Sequence, residues 1–294
     1  MKRTFLLATL LLGAAASFAA DDVNESFKHM SANVGLGSTG ITLDVGTMAH
    51  PLVGLRLGFD YMPSITMKHF DIEVSDGEGN AKRVFNDIHQ NVIKDDYRKP
   101  ETVLVNAQPG WFTGHLLADF YLKPDKGFHF TAGLYFTGSD HFMTMKNKHK
   151  GWFGDIYDFN NSLAPYYDKL NHEDKTDPNY CGSIGIKLED GTILGPSKEG
   201  NMKGKFQVWK VRPYIGIGYG RTVSEKRIDW AVDAGMQIWG TPQAYIMNYT
   251  EQGNEYHKVF PKDLSGKAHN AVKRAKTFLK VYPCVTFRLN CRLF

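Results

Sequence analysis

Short stretches of alternating apolar and polar residues run through the chain. The clearest of them spans residues 53–61. One face of this stretch carries five large apolar side chains, which are Val53, Leu55, Leu57, Phe59 and Tyr61. The opposite face carries small and charged residues, which are Gly54, Arg56, Gly58 and Asp60. A period of two predicts a β-strand, and this contrast between faces is typical of a barrel with lipid outside and a polar lumen inside.

The same alternation predicts eight strands in all. They cover residues 31–37, 39–48, 53–61, 111–122, 128–138, 209–221, 227–239 and 281–294. If residues 31–48 formed one long strand, the count would fall to seven. An antiparallel set of this size predicts an all-β fold, a transmembrane β-barrel of about eight strands.

The connections between the predicted strands differ in length. Those near residues 49–51, 123–127 and 222–226 are short, whereas 63–109, 139–207 and 240–280 are long and polar. Outer-membrane barrels have short periplasmic turns and long extracellular loops, and this asymmetry fits that rule. Inside the long connections, the pattern predicts a hairpin of residues 184–188 with 192–194, and an amphipathic helix over 263–280.

The N-terminus has the features of an export signal. Lys2 and Arg3 precede an apolar run over residues 5–12, and Ser17 and Ala19 present small side chains to a signal peptidase. We therefore expect a signal peptide over 1–19, a short lead over 20–30 and the barrel over 31–294. No later run reaches eighteen apolar residues, so no transmembrane helix is predicted. The expected location is the cell outer membrane.

Charge and cysteine content add little. The formal net charge is +4, and removing Lys2 and Arg3 with the signal lowers it to about +2, which indicates no particular partner. The three cysteines are Cys181, Cys284 and Cys291. Cys284 and Cys291 lie seven apart on one predicted strand and point to opposite faces, so they cannot bridge each other. We predict no disulfide framework and no metal-ligand spacing.

The predicted lumen is the chemically informative part of the sequence. Alternation turns eight ionisable residues inward, which are Asp44, Arg56, Asp60, Asp119, Arg212, Asp233, Arg288 and Arg292. His115, Tyr214 and Gln237 are expected nearby. The interior of an eight-stranded barrel barely holds its own side chains, so four acids and four arginines are expected to pair there. Such a network is a structural plug. The alternative is a narrow polar path gated by an Arg–Asp switch.

Other sites are weakly indicated. His115 has no serine placed beside it, so we expect no catalytic residues. His141, Met143, Met145 and His149 mix ligands that suit copper, but ordinary loops contain the same residues, and no metal or cofactor is predicted. The glycine-rich stretch 76–80 lacks calcium-loop spacing.

The segment 240–280 is basic, and two interpretations stay open for it. A solvated helix face is one, and an anionic headgroup contact is the other. No nucleic-acid motif is present, and we expect no nucleic-acid partner.

Four stretches together resemble a known group of proteins. They are residues 40–61 with a proline-containing turn, 117–136 with a Lys-Pro turn, 212–220, and the closing 282–289. Their order along the chain is similar to that in small Gram-negative outer-membrane β-barrels of the opacity-protein and OmpA/OmpW-like group. The resemblance implies that Phe294 is part of the signal read by the barrel assembly machinery. The apolar positions before Phe294 are shifted one residue from the usual pattern.

Two classes of function follow from this sequence. In the first, the barrel is a structural or surface-interaction protein whose long loops contact lipopolysaccharide, a neighbouring protein or a host ligand. In the second, it is a small pore for soluble or amphipathic solutes. Outer-membrane lipid and the assembly machinery are expected partners in both classes.

Overall fold

The fold comes from a computed structural model. It describes residues 27–73, 102–139, 141–147, 153–158, 160–161, 185–188, 192–250, 253–260 and 279–293, with isolated positions 270, 273, 274 and 277. Within these ranges the chain forms sixteen strands, numbered β1 to β16 in chain order, and a helix at Phe153–Asp158. The predicted signal peptide, Cys181, residues 76–80, His149 and Phe294 lie outside the described residues, as does most of the predicted helix over 263–280.

Eight strands close into an antiparallel barrel. They are β1 (Met30–Gly37), β2 (Gly40–His50), β3 (Val53–Met62), β6 (Trp111–Tyr121), β7 (Phe128–Phe136), β12 (Val211–Tyr219), β13 (Ile228–Ile238) and β16 (Val281–Arg292). The order around the barrel is β1-β16-β13-β12-β7-β6-β3-β2, and β1 closes it against β16. The eight-stranded prediction is confirmed. A turn at residues 38–39 separates β1 from β2, so the single long strand over 31–48 is wrong.

The two faces of the barrel wall follow the predicted alternation. Apolar side chains point outward and stay exposed, among them Leu57, Phe59, Ile215, Ile217, Phe287 and Leu289. Near the strand ends, Tyr61, Tyr219 and Trp230 are exposed as well, as an interfacial girdle requires. Alternation along the strands also predicts that Trp111, Tyr121 and Trp239 face inward, and all three are buried. An exposed apolar belt around a closed barrel is a surface made for lipid.

The depth of this belt is testable with one strand. Ile215 lies in the middle of β12 and Val211 at its end, and both point outward. We expect Ile215→Lys to lower the free energy of unfolding in phospholipid vesicles by about 2–4 kcal/mol, because a lysine there faces the bilayer midplane. Val211→Lys, the matched control, should cost about 0–1 kcal/mol. Urea titration followed by gel mobility measures both, and equal costs would contradict a membrane-spanning β12.

A second sheet stands on the barrel, where only long loops were predicted between the strands. It contains β4 (Met67–Glu73), β5 (Thr102–Pro109), β8 (Met143–Asn147), β11 (Lys203–Gln207), β14 (Gln243–Thr250) and β15 (Gly253–Val259). Along the chain, β4 follows β3, β5 precedes β6, β8 follows β7, β11 precedes β12 and β14 follows β13. The outer order β15-β14-β11-β8-β5-β4 therefore repeats the order of those barrel strands, with β15 added at the edge beside β14. Alternation missed it because these strands lie beyond the lipid, where an apolar outer face is not required.

The middle long connection folds back on this outer sheet. Its hairpin is confirmed in β9 (Ile186–Lys187) and β10 (Ile193–Leu194), which pair antiparallel. Gly195 N donates to Asn248 Oδ1 on β14 at 2.9 Å, and Leu194 is fully buried. Burial also raises the pKa of Tyr249 on β14 to about 12. The extracellular part is therefore packed structure with its own core.

Of the predicted helix, the described positions 270, 273, 274 and 277 are helical, and Thr277 Oγ1 donates to Lys273 O at 3.0 Å. In the part of the chain that the structure describes, no helix has both the length and the apolar character needed to cross a membrane.

Candidate functional site

An ion-pair cluster crosses the middle of the lumen. Arg56 Nη2 lies 2.8 Å from Asp119 Oδ1, and Arg56 Nη1 lies 3.3 Å from Asp233 Oδ2. Arg288 Nε donates to the same Asp233 oxygen at 2.5 Å. The four residues come from β3, β6, β13 and β16, and all are buried. Side chains from opposite walls of the barrel are thus tied together across its axis.

His129 belongs to this cluster, although the sequence analysis missed it. Its Nε2 lies 3.1 Å from Asp233 Oδ1 and 3.8 Å from Asp119 Oδ1, while its Nδ1 lies 2.9 Å from Gly127 O. Both ring nitrogens of His129 therefore face oxygen acceptors, one a carbonyl and the other a carboxylate. The signal was present in the sequence, since His129 alternates with the outward Phe128 and Phe130.

A second cluster surrounds His115. Its Nδ1 lies 3.0 Å from Asp60 Oδ2, and its Nε2 lies 3.8 Å from Asp44 Oδ2. Asp44 also accepts a hydrogen bond from Asn33 Nδ2, and Asp60 accepts one from Thr42 Oγ1 at 2.5 Å. Asp60 and Arg56 share one face of β3, so the two clusters adjoin. Together the two clusters hold four carboxylates, two guanidiniums and two imidazoles.

Arg212 and Arg292 do not join these clusters. Arg212 is buried nearer the outer mouth, with its guanidinium 5.5 Å from the ring of Trp239, and its Nε and Nη2 make no hydrogen bond within the described residues. Arg292 lies at the opposite end, where its Nη2 is 3.0 Å from His29 Nδ1. The predicted four-by-four pairing of acids with arginines is therefore wrong in composition. Alternation fixes the face that a side chain points to, but not its height in the barrel.

An aromatic layer covers the outer end of the lumen. Trp239 stacks on Tyr282, with ring centroids 4.4 Å apart and planes 10° from parallel. Trp111 meets both rings edge-on at 6.0 Å, and Phe142 packs 4.9 Å from Trp239. Trp111 lies on β6 and Tyr282 on β16, while Trp239 directly follows β13 and Phe142 precedes β8. Together their rings lie across the mouth.

The inner end is filled by a turn. Thr222, between β12 and β13, is fully buried. Its Oγ1 donates to Asp119 Oδ2 at 2.6 Å, and its amide donates to Tyr121 Oη at 2.6 Å. Its carbonyl accepts from Ser31 Oγ at 2.6 Å. A Cβ added at Gly54 would lie 2.3 Å from Thr222 Oγ1, so that position must be glycine for the turn to enter the barrel.

The Thr222 hydroxyl should contribute measurably to stability. Thr222→Val keeps the side-chain volume and the backbone amide bonded to Tyr121, but it removes the hydroxyl that donates to the buried Asp119 Oδ2. We expect a loss of about 1–3 kcal/mol in the free energy of unfolding. Thr222→Ser, which retains the hydroxyl, should lose less. Urea titration of refolded protein compares the two. Equal stability of Thr222→Val and the parent protein would contradict the role assigned to this turn.

Closed antiparallel strands, an apolar outer belt and a filled polar interior define this molecule as an integral β-barrel protein of the outer membrane. No protein-family model matches its sequence, and no curated protein sequence does. Two solved structures are similar over nearly the whole chain. One is CarO of Acinetobacter baumannii, with 14% identity, coverage of 90% of this chain and 97% of that one, and a TM-score of 0.39. The other is CarO2 of the same organism, with 14% identity, coverage of 92% and 100%, and a TM-score of 0.44.

The protein therefore belongs to the class of small outer-membrane β-barrels. This classification rests on its own closed eight-stranded barrel. The comparisons do not point to the opacity-protein and OmpA/OmpW-like group in particular, so that narrower resemblance stays a prediction.

Proposed function

We propose that this barrel is closed to solutes and works through the structure that it presents outside the membrane. The observation that carries the proposal is the filling of the lumen at three successive levels. The aromatic layer around Trp239 lies at the outer mouth, the ion pairs of Arg56 and Asp233 lie in the middle, and the buried Thr222 lies at the inner end. A solute would have to displace all three.

Opening the middle level alone would be costly. Arg56 contacts Asp119 and Asp233 at once, and Asp233 also binds Arg288 and His129. Moving the Arg56 side chain aside would leave buried charges without partners, which costs several kcal/mol. The gated-path alternative needs this movement together with a rearrangement of the Thr222 turn, because Thr222 is itself hydrogen-bonded to Asp119.

Single-channel recording in a planar bilayer tests the closed state. After an unboiled gel band establishes that the refolded protein forms the barrel, we expect no conductance steps from the parent protein or from Arg56→Ala. Arg56→Ala should lose thermal stability only, because the aromatic layer and the Thr222 turn remain. Reproducible steps from the parent protein, or steps that change in Arg56→Ala, would establish a pore with an Arg–Asp gate.

The outer sheet is the part proposed to meet partners. Its strands adjoin β3, β6, β7, β12 and β13 along the chain, whereas β1 and β2 are joined by a turn of only two residues. The outer sheet therefore extends from one side of the barrel mouth. Lipopolysaccharide, a neighbouring membrane protein or a host surface ligand are the proposed partners. Catalysis is not part of this proposal, since the groups 3.0 and 3.8 Å from His115 are carboxylates and not a nucleophilic hydroxyl.

Loop replacement tests whether binding depends on the outer sheet rather than on the barrel. Exchanging residues 241–279, which connect β13 to β16, for a short turn removes β14 and β15 while leaving the barrel strands intact. We expect the variant to keep the heat-dependent gel mobility of a folded barrel and to lose binding of lipopolysaccharide vesicles or whole target cells. Unchanged binding by the folded variant would place the interaction elsewhere.

A further inference from the structure

One face of the outer sheet carries four lysines and two tyrosines. We call it the lysine face and define it by Lys146, Lys203, Lys205, Lys258, Tyr245 and Tyr256. In the register of the sheet, Lys146 lies opposite Lys203. Tyr245 lies opposite Lys205 on one side and opposite Lys258 on the other. Tyr256 shares this face, since the Lys205 ammonium lies 4.0 Å from the centre of its ring. Side chains from four strands thus form one continuous surface.

The positive charges on the lysine face are not neutralised where they lie closest together. Lys146 and Lys203 are exposed, and neither forms a salt bridge within the described residues. The Cβ atoms of directly opposite residues in antiparallel strands are about 4.5–5.5 Å apart, and like charges at such positions are destabilising. Lys258 is also exposed, and its ammonium lies 5.4 Å from the ring centre of Phe260. An anion placed between these lysines would therefore be stabilising.

The acidic residues near this sheet lie away from the lysine face. Among the described side chains of the outer sheet, Glu255 is the one carboxylate, and it pairs with Asn248 on the opposite face. That face is the one that meets the β9–β10 hairpin, because Asn248 accepts from Gly195 N. Glu199 lies near Tyr249, toward the far end of β14, and its carboxylate accepts from a serine hydroxyl at 2.9 Å. The lysine face is therefore positive as a whole.

The lysine face points away from the barrel axis, over the surrounding membrane. On β11, Phe206 alternates with Lys205 and is buried on the opposite face, with its ring 6.2 Å from Phe142 of the aromatic layer. The lysine side therefore continues the side on which Trp209 and Val211 are exposed above the lipid-facing part of β12. Lys205 is six residues from Val211. That is about 20 Å along a strand, and less in height because barrel strands tilt.

We propose that the lysine face binds the phosphate groups of lipopolysaccharide in the outer leaflet. The inference rests on the proposed function, because it assigns one of the proposed partners to a surface of the outer sheet. Lipid A and the sugars attached to it carry phosphates just above the acyl chains, in the zone that this face borders. Lysine ammoniums bind phosphates as compact point charges, and they attract anionic membrane surfaces. The two tyrosine rings offer amphipathic surfaces to the sugars between the phosphates.

A binding titration with the refolded full chain in neutral detergent tests this site. The probe is labelled lipopolysaccharide cut back to lipid A and inner core, and the matched probe is the same material with its phosphates removed. We expect Lys146→Gln/Lys203→Gln to bind the phosphorylated probe at least about tenfold more weakly. Lys146→Arg/Lys203→Arg keeps both charges and should bind like the parent protein. Lys123→Gln/Lys226→Gln removes two exposed lysines from the inner turns and should change binding less than about twofold.

Misfolding does not explain the expected loss. Because Lys146→Gln/Lys203→Gln removes a pair of like charges, its stability in urea should equal or exceed that of the parent protein. A loss of binding as large in Lys123→Gln/Lys226→Gln would mean a general effect of net charge and would overturn the proposal. So would equal binding of the two probes by the parent protein. Lysine-dependent binding of heparin without binding of lipopolysaccharide would overturn it as well, by making an acidic polysaccharide the partner.

Failure of this site can be distinguished from failure of the proposed function. If Lys146→Gln/Lys203→Gln binds the phosphorylated probe as tightly as the parent protein, the lysine face is not the site, and the role of the outer sheet is unaffected. If the parent protein binds no lipopolysaccharide, this inference is overturned. The proposed function then fails only when replacement of residues 241–279 also leaves the binding of target cells unchanged.

Discussion

Replacing Asp233 with alanine is expected to lower the free energy of unfolding by about 3–5 kcal/mol, the largest electrostatic effect in the barrel. Asp233 lies between two guanidiniums and an imidazole, with oxygens 2.5 Å from Arg288 Nε, 3.3 Å from Arg56 Nη1 and 3.1 Å from His129 Nε2. All are buried, so removal of the carboxylate leaves two guanidinium charges and an imidazole nitrogen without this partner in a medium that solvates them poorly.

A control on the same strand isolates the effect of burial. Asp229 precedes Asp233 by four residues on β13 and accepts hydrogen bonds from Ser224 Oγ at 2.8 Å and from the Trp230 amide at 2.9 Å, but it meets no arginine or histidine within the described residues. Asp229→Ala should cost about 0.5–1.5 kcal/mol, the contribution of an ordinary hydrogen bond. Urea unfolding in vesicles, followed by gel mobility, compares the variants. If Asp233→Ala costs no more than Asp229→Ala, the ion pairs do not stabilise the barrel.

Replacing Trp239 with alanine is expected to cost about 3–5 kcal/mol, as large core truncations do. The indole is 1% exposed, stacks on Tyr282, and its Nε1 donates to Gln237 Oε1 at 3.0 Å. Its removal creates a void under Phe142 and takes away the ring against which the guanidinium of Arg212 rests. Several contacts of the aromatic layer are therefore lost together.

The matched control is Trp230, which lies on β13, the strand that Trp239 directly follows, but on the outer face and 50% exposed. Trp230→Ala removes the same atoms from the lipid-facing side and should cost clearly less than Trp239→Ala, because no packed cavity is left behind. Fluorescence-detected unfolding measures both. Trp239→Ala should also stay silent in a planar bilayer, since the ion pairs and Thr222 still fill the lumen. Conductance steps from this variant would make the aromatic layer the only barrier.

Much of the barrel could be predicted from alternation. In β3, the apolar Leu57 and Phe59 alternate with Arg56 and Asp60, and their outward and inward directions were correct. Lipid outside and a crowded lumen inside impose opposite chemistry on successive residues, so the period of two is strong wherever a strand crosses the membrane. The outer strands β5, β8 and β14 face no lipid, and the pattern that marks the barrel strands is lost in them.

The candidate site was predicted only in part. The burial of seven of the eight ionisable residues follows from the face assignment, but their partners do not. Asp60 meets His115 and Thr42 rather than an arginine, and His129 contacts Asp233 in addition to the two arginines. Partners across a lumen come from strands far apart in sequence, and their heights depend on strand tilt and register, which no local pattern encodes.

By itself, the sequence determined the fold class, the eight membrane strands and the face to which each side chain points, because alternation is a local consequence of strand geometry between lipid and lumen. Only the tertiary structure decided that the Thr222 turn enters the barrel, that Arg212 and Arg292 lie at opposite ends, and that the outer strands form a sheet. These features depend on closure of β1 against β16 and on the register of all eight strands, which sets the height at which distant residues meet.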